Sequence, residues 1–171
     1  RAPILTGPGM KDGLERIRLG SVEPWAISER MLNVIAASER ICPHLHIPLQ
    51  SCEDTVLHRM NRRYGTADIR HIFDYAFSLR DDWGFGTDII AGFPGEAEAQ
   101  FCATQAFLDD SPVAYVHIFP YSSRPGTPAT KLPGHLSRSV KDDRVARLKE
   151  TDRELRSRFR RSNLGKTHRV L

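Results

Sequence analysis

Polar side chains recur where short apolar runs stop. Ser21 and Glu23 close the run 16–21, Gln50 and Ser51 follow 44–49, and Glu96 follows the tight Gly92-Phe93-Pro94-Gly95 at the end of 87–92. If these runs are parallel strands, the polar groups gather on the rim where strand-to-helix loops converge, which is where α/β folds bind ligands. Gly92 and Gly95 let backbone approach a flat or phosphate-like ligand, and Glu96 is either an acceptor for it or a charge opening the next helix. His44 and His46 sit on a strand, where a histidine facing an interior is a ligand candidate or a satisfied core residue. No Ser-His-Asp order, phosphate-binding loop or zinc-type spacing is present. Cys42, Cys52 and Cys102 match neither a disulfide framework nor a compact ligand set, so they read as free thiols of a reducing compartment.

Holding such a rim takes alternating strands and helices, and the chain reads that way. Strand-like runs at 16–21, 44–49, 87–92 and 115–119 are separated by stretches of helical period. Ser28 caps a helix to Glu39 that carries Met31, Leu32, Ile35 and Ala36 on one face, and 53–61 does the same with Val56, Leu57 and Met60. Thr66 is the cap expected for a helix to about Arg80 burying Ile69, Phe73, Ala76 and Phe77, while 96–108 buries Phe101, Ala103 and Leu108. The Pro- and Gly-rich stretch after Phe119 is a long loop, of the kind that tends to be functional. Ser137 or Ser139 then caps a long helix to about Asn163 with Val145, Leu148, Leu155 and Phe159 along its seam, and Gly165 stops it. Ile4 and Leu5 read as one more strand end. Only residues 6–15 separate it from the next strand, so the pair is antiparallel or residues are missing between Gly7 and Leu14.

A chain of 171 residues, 40% hydrophobic and 27% charged, has the composition of one folded domain. Its longest apolar runs fall far short of the roughly 20 residues a bilayer span needs, so the expectation is a cytoplasmic protein with no membrane partner. The net charge of +4 is uneven: residues 137–171 hold twelve Lys/Arg against five Asp/Glu, and the body before them is mildly acidic. A basic end suggests a polyanion such as RNA or DNA, or else a solvated helix face. An uncapped apolar start behind Arg1 reads as a piece of a longer protein.

Five phrases occur in order: Arg16-Ile-Arg-Leu-Gly-Ser-Val-Glu-Pro24, His44-Leu-His-Ile-Pro-Leu-Gln-Ser51, Met60-Asn-Arg-Arg-Tyr64, Gly86-Thr-Asp-Ile-Ile-Ala-Gly-Phe-Pro-Gly-Glu96, and His117-Ile-Phe-Pro-Tyr-Ser122 with Arg124-Pro-Gly-Thr-Pro128. Together they resemble the radical S-adenosylmethionine (SAM) methylthiotransferases, most closely the branch acting on N6-threonylcarbamoyladenosine at tRNA position 37. The resemblance implies a truncated, partial (β/α)6 barrel over 1–136, a basic helix over 137–165 packed on it, and over 166–171 the start of a TRAM RNA-binding domain. It also implies SAM, [4Fe-4S] clusters held by cysteines, tRNA as substrate, and a reductant protein for the parent enzyme.

Carried onto this chain, the resemblance puts Thr6 and Gly7 at the SAM amino group, and Ser21, Glu23, Gln50 and Ser51 along the ribose and methionine side. Arg63 pairs with the methionine carboxylate, residues 90–96 (Ile90, Gly92, Phe93 and Glu96 among them) present backbone to the adenine, and Phe119 and Tyr121 close the pocket. Arg124 faces the tRNA, as do Arg156, Arg158, Arg160, Arg161 and Lys166. The chain departs from the family in two ways. It has no CxxxCxxC motif, so this portion alone is expected to be inactive, and Cys52 replaces a glycine, which places a side chain at the cavity mouth. A ribosomal-protein aspartate as substrate, or a degenerate RNA-binding scaffold, are the alternatives.

Overall fold

Three strands, β1 (His44–Gln50), β2 (Gly84–Ala91) and β3 (Val113–Pro120), form a parallel sheet in the order β1-β2-β3. The computed structural model describes residues 15–167. Parallel neighbours need crossovers. Here they are α2 (Asp54–Arg59) with α3 (Thr66–Leu79) between the first two strands, and α4 (Glu98–Asp110) between the last two. Ahead of the sheet lies α1 (Glu29–Ala37), packed on α3, and behind it α5 (Arg138–Ser162), packed on β3. Among the described residues no helix is long and apolar enough to cross a membrane.

Strand alternation divides the sheet into two faces. Leu45, Ile47, Leu49, Phe85, Ile89 and Val116 turn toward the helices and are almost wholly buried with Leu32, Ile35, Ile69, Phe73, Phe101, Leu108, Leu148 and Leu155. Phe85 anchors this layer, stacked on Trp83 at 5.6 Å and tilted against Phe73 at 4.8 Å between ring centres. The other face carries His44, His46 and Gln50 from β1, Gly86, Asp88 and Ile90 from β2, and Tyr115, His117 and Phe119 from β3. Register sets Gly86 against Tyr115, Asp88 against His117 and Ile90 against Phe119. A Cβ on Gly86 would lie 2.1 Å from the Tyr115 ring, so the missing side chain lets the phenol lie across the sheet.

Ser28 and Ser137 cap α1 and α5 through their hydroxyls, as their positions in the sequence suggest. Elsewhere the boundaries shift. Gly65, not Thr66, is the N-cap of α3, because the Asp68 carboxylate accepts the Gly65 amide while Thr66 donates to Asp54. α4 starts at Glu98 rather than Glu96, since Glu96 is turned into the interior. Its buried stripe is Phe101, Thr104, Phe107 and Leu108, which leaves Ala103 exposed. Phe77 and Phe159 are also more than a third exposed, at the far end of the sheet. In α5 Leu148 and Leu155 of the expected seam are buried, Val145 is partly buried against the core, and Arg144 and Thr151 complete the buried stripe.

The run 16–21 lies parallel to β1 and the residues leading into it but forms two isolated bridges, Ile17 with Ile41 ahead of the strand and Ser21 with His46 within it. The partner offset changes by one residue between them, so the register slips and no continuous ladder forms. The opposite edge is sealed differently: Asp152 of α5 accepts the Val116 amide at 2.7 Å. Residues 4–7, the link to Leu14 and residues 168–171 fall outside the described residues, together with the expectations placed on them, Thr6 and Gly7 included.

Candidate functional site

At the C-terminal ends of the strands a cavity of about 610 Å³ opens, lined by Gln50, Arg62, Asp88, Ile90, Phe93, Phe119, Tyr121 and Arg124, among others. Its walls follow from local backbone. Gln50 ends β1 in the left-handed region (φ 65°), where the register with β2 also shifts, and a non-glycine residue held there stores roughly 1–3 kcal/mol. Gly92 turns the chain out of β2 at φ 79°, and Phe93 then packs edge-on to Tyr121 at 5.4 Å. Tyr121 is fixed by its amide, which donates to Ala91 O at 2.8 Å. Two buried polar atoms in this wall, Arg62 Nε and the Tyr121 hydroxyl, have no hydrogen-bond partner among the described residues. A buried, unsatisfied donor costs about 1–3 kcal/mol, and both atoms belong to residues that line the cavity.

Of the residues singled out in the sequence, Gln50, Ile90, Phe93, Phe119, Tyr121 and Arg124 line this one cavity. Glu23 stands behind it, its carboxylate 3.5 Å from Arg62. It is Arg62 that enters the wall, while Arg63 is exposed. Ser51 is buried and turned to Thr104, with 3.3 Å between hydroxyl oxygens. Cys52 is not at the mouth: it packs in the hydrophobic core at 3% exposure, its amide donates to Thr104, and burial pushes its thiol up.

Glu96 is also turned away from the cavity. Its Oε2 accepts the Gly92 amide at 2.8 Å and meets Arg144 Nη1 at 2.6 Å, with both side chains at most 3% exposed. Burial pushes the carboxyl up, and the Gly92 amide and Arg144 work in the opposite direction. Glu96 and Gly92 thus brace the loop that carries Phe93.

The basic residues do not share one surface. Arg158 donates to the carbonyls of Asp109 and Ser111 and, with Lys166, lines a separate cavity with Trp83 and Val113 at the N-terminal ends of the strands. Arg156 pairs with Asp152 and lies 5.3 Å from the Tyr115 ring centre. Arg160 and Arg161 are exposed in the last turn of α5. Of the basic residues expected to meet RNA, Arg124 borders the cavity at the strand C-termini.

Below that cavity, a second hollow of about 490 Å³ shares Asp88 and Phe119 with it and exposes a polar network along the same sheet face. Asp88 Oδ1 lies 2.9 Å from His46 Nε2 and 3.2 Å from His117 Nδ1. The Tyr115 hydroxyl sits 3.3 Å from His46 Nδ1, 3.1 Å from His44 Nε2 and 3.2 Å from Arg18 Nη2. Burial first, then the Arg18 charge and His46, pull the His44 imidazole down to about 4. Sequence reasoning noticed His44 and His46 but not Asp88, Tyr115 or His117. Equal parity on adjacent parallel strands was the available signal.

No family model matches the chain. In fold it is similar to coproporphyrinogen III oxidase (HemN) from Escherichia coli, a radical SAM enzyme, with a TM-score of 0.63 at 19% identity over 80% of this chain and 32% of that one. The likeness is one of fold, an α/β architecture built on a parallel sheet.

Sequence similarity narrows this. The threonylcarbamoyladenosine tRNA methylthiotransferases MtaB of Thermotoga maritima and Aquifex aeolicus are 38% and 39% identical over 91% and 94% of the chain. A tRNA-2-methylthio-N(6)-dimethylallyladenosine synthase of a Mycobacterium species is 36% identical over 99%. The chain is related to one segment of the methylthiotransferase family, spanning 36%, 39% and 32% of the length of these relatives.

Proposed function

We propose that the cavity at the strand C-termini binds SAM and that the chain supplies the cofactor-side wall of a radical SAM tRNA methylthiotransferase, with N6-threonylcarbamoyladenosine as the nucleoside modified. The observation that carries this reading is the cavity itself: an apolar slot between Ile90, Phe93 and Phe119, sized for a nucleoside cofactor and bordered by the unpaired Arg62 Nε and Tyr121 hydroxyl. Ile90 and Phe119 would face the adenine, and Arg62 has the planar fork of donors that suits a methionine carboxylate. Gln50 is held beside it by its strained backbone. When bound, SAM supplies an adenosyl radical and a methyl group in such enzymes.

The residues present do not fit an iron-sulfur cluster. Cys42 precedes β1, Cys52 is buried after it, and Cys102 is exposed on α4; among the described residues no three cysteines converge. The cluster would have to be held elsewhere in a parent protein, and this chain alone is expected to bind SAM without cleaving it. Arg124, beside the Pro-rich loop, is placed to meet the tRNA phosphates.

Calorimetric titration of the chain with SAM tests the reading. Saturable binding is expected, weakened about tenfold or more by Arg62→Ala, the scale of a lost charge-assisted hydrogen bond, and abolished by Ile90→Trp, which fills the slot. A folded chain that binds tRNA but takes up no SAM would point instead to an RNA-binding scaffold. The nucleoside is decided by mass spectrometry of tRNA from cells lacking the gene: loss of the methylthio mark from threonylcarbamoyladenosine is expected, and loss from the dimethylallyl nucleoside alone would overturn that assignment.

A further inference from the structure

We infer that His46, Asp88 and His117 form a binding site for one divalent first-row transition-metal ion on the inner face of the sheet. Each of the three offers one donor atom, and these atoms all lie within 4.8 Å of one another, with Asp88 Oδ1 nearest His46 Nε2 and His117 Nδ1. Ligands around a tetrahedral zinc-type ion stand ~3.3 Å apart, as follows from metal–ligand bonds of about 2.0–2.1 Å. The two separations from Asp88, 2.9 and 3.2 Å, are already close to that. Two imidazoles with one carboxylate suit zinc, iron(II) or cobalt(II), whereas magnesium and calcium require more oxygen donors than this cluster offers.

The backbone builds this arrangement without strain. All three residues sit on strands, at positions of the same parity, and Asp88 and His117 are direct register partners. Gly86 keeps space open in the centre of the face for the Tyr115 phenol. The Tyr115 hydroxyl is then within reach of His46 Nδ1, the ring nitrogen opposite the proposed metal ligand. A metal-bound histidine needs its second nitrogen protonated and held by an acceptor, and Tyr115 supplies that. Arg18 is engaged by Tyr115 and His44.

His117 is half exposed and the hollow opens to solvent, so an ion has both an entry path and unfilled coordination positions. Those positions face the hollow that adjoins the proposed SAM cavity through Asp88 and Phe119. The site does not depend on that cofactor assignment.

The test is titration of the metal-free chain with cobalt(II), followed by visible absorption, with zinc as competitor. Expected are ligand-field bands that saturate at about one ion per chain, are displaced by zinc and not by magnesium, and lack the near-ultraviolet sulfur-to-cobalt band that a cysteine ligand would give. His117→Ala, at an exposed position, and Asp88→Asn are each expected to weaken binding by more than 100-fold. Tyr115→Phe is expected to fall within the ~10–100-fold range of an outer-shell partner. The inference is overturned by the absence of ligand-field bands in a chain whose circular dichroism shows it folded. Bands indifferent to His117→Ala, or a sulfur-to-cobalt band that disappears in Cys102→Ser, would overturn it too. SAM binding measured on His117→Ala and Tyr115→Phe, neither of which lines the proposed SAM cavity, keeps the two assignments separable.

Discussion

Arg144→Met is expected to lower the unfolding free energy by about 3–5 kcal/mol, the cost of leaving one partner of a buried ion pair alone. Arg144 Nη1 bonds both Glu96 Oε2 at 2.6 Å and the Glu96 carbonyl at 3.0 Å, and Nη2 reaches Glu98 at 3.3 Å. Removing the guanidinium strands a carboxylate that burial already disfavours. Glu96→Gln is expected to cost less, because a neutral amide oxygen can still accept the Gly92 amide. Combining both changes recovers much of the loss, since no unpaired charge remains. Urea denaturation of the three variants measures this. If Arg144→Met costs less than about 1 kcal/mol, the range of an exposed pair, the bridge does not brace the loop.

The second large effect is at Gly86. An alanine there puts Cβ 2.1 Å from Tyr115 Cζ and 2.3 Å from its hydroxyl, closer than any real contact. The ring has to leave, breaking its contacts with His44, His46 and Arg18. Overpacking of this kind costs about 1–3 kcal/mol, and the surrendered hydrogen bonds add to it. The discriminating measurement is a double-mutant cycle. With Tyr115→Ala already in place the clash has no partner, so Gly86→Ala should become nearly neutral. Equal costs in both backgrounds would mean that backbone preference in the strand, rather than the phenol, fixes the glycine.

Much of this layout was legible from spacing. Strand centres and helix faces follow from periods that local packing enforces, and Ser28 and Ser137 announce their helices by hydroxyl chemistry alone. What remained hidden depended on contacts between distant segments. Arg144 looks like part of a basic surface until Glu96 turns inward 48 positions away. Arg62 and Arg63 are adjacent and chemically identical, and it takes the backbone path that follows the left-handed Asn61 to put Arg62 in the cavity wall and Arg63 in solvent. Cys52 reads as a cavity residue from its neighbours Gln50 and Ser51. The inverted backbone at Gln50 helps send it into the core instead. The Asp88 cluster requires three strands to be in register, which no single segment encodes.

The sheet's two edges are secured by unlike means, and this gives the molecule a direction of loosening. On the β3 side a carboxylate from a 25-residue helix occupies the Val116 amide. On the β1 side three backbone bonds, Ile17 to Arg40, Cys42 to Ile17 and Val22 to His46, tie on a short segment, helped by Arg18 reaching to His44 and Tyr115. Opening should therefore begin at residues 17–22 and travel inward, with the amides of Ile17 and Val22 exchanging hydrogen well before that of Val116. Because Ser21 lines the hollow over His46 and Asp88, each such opening would also widen the entrance to that hollow.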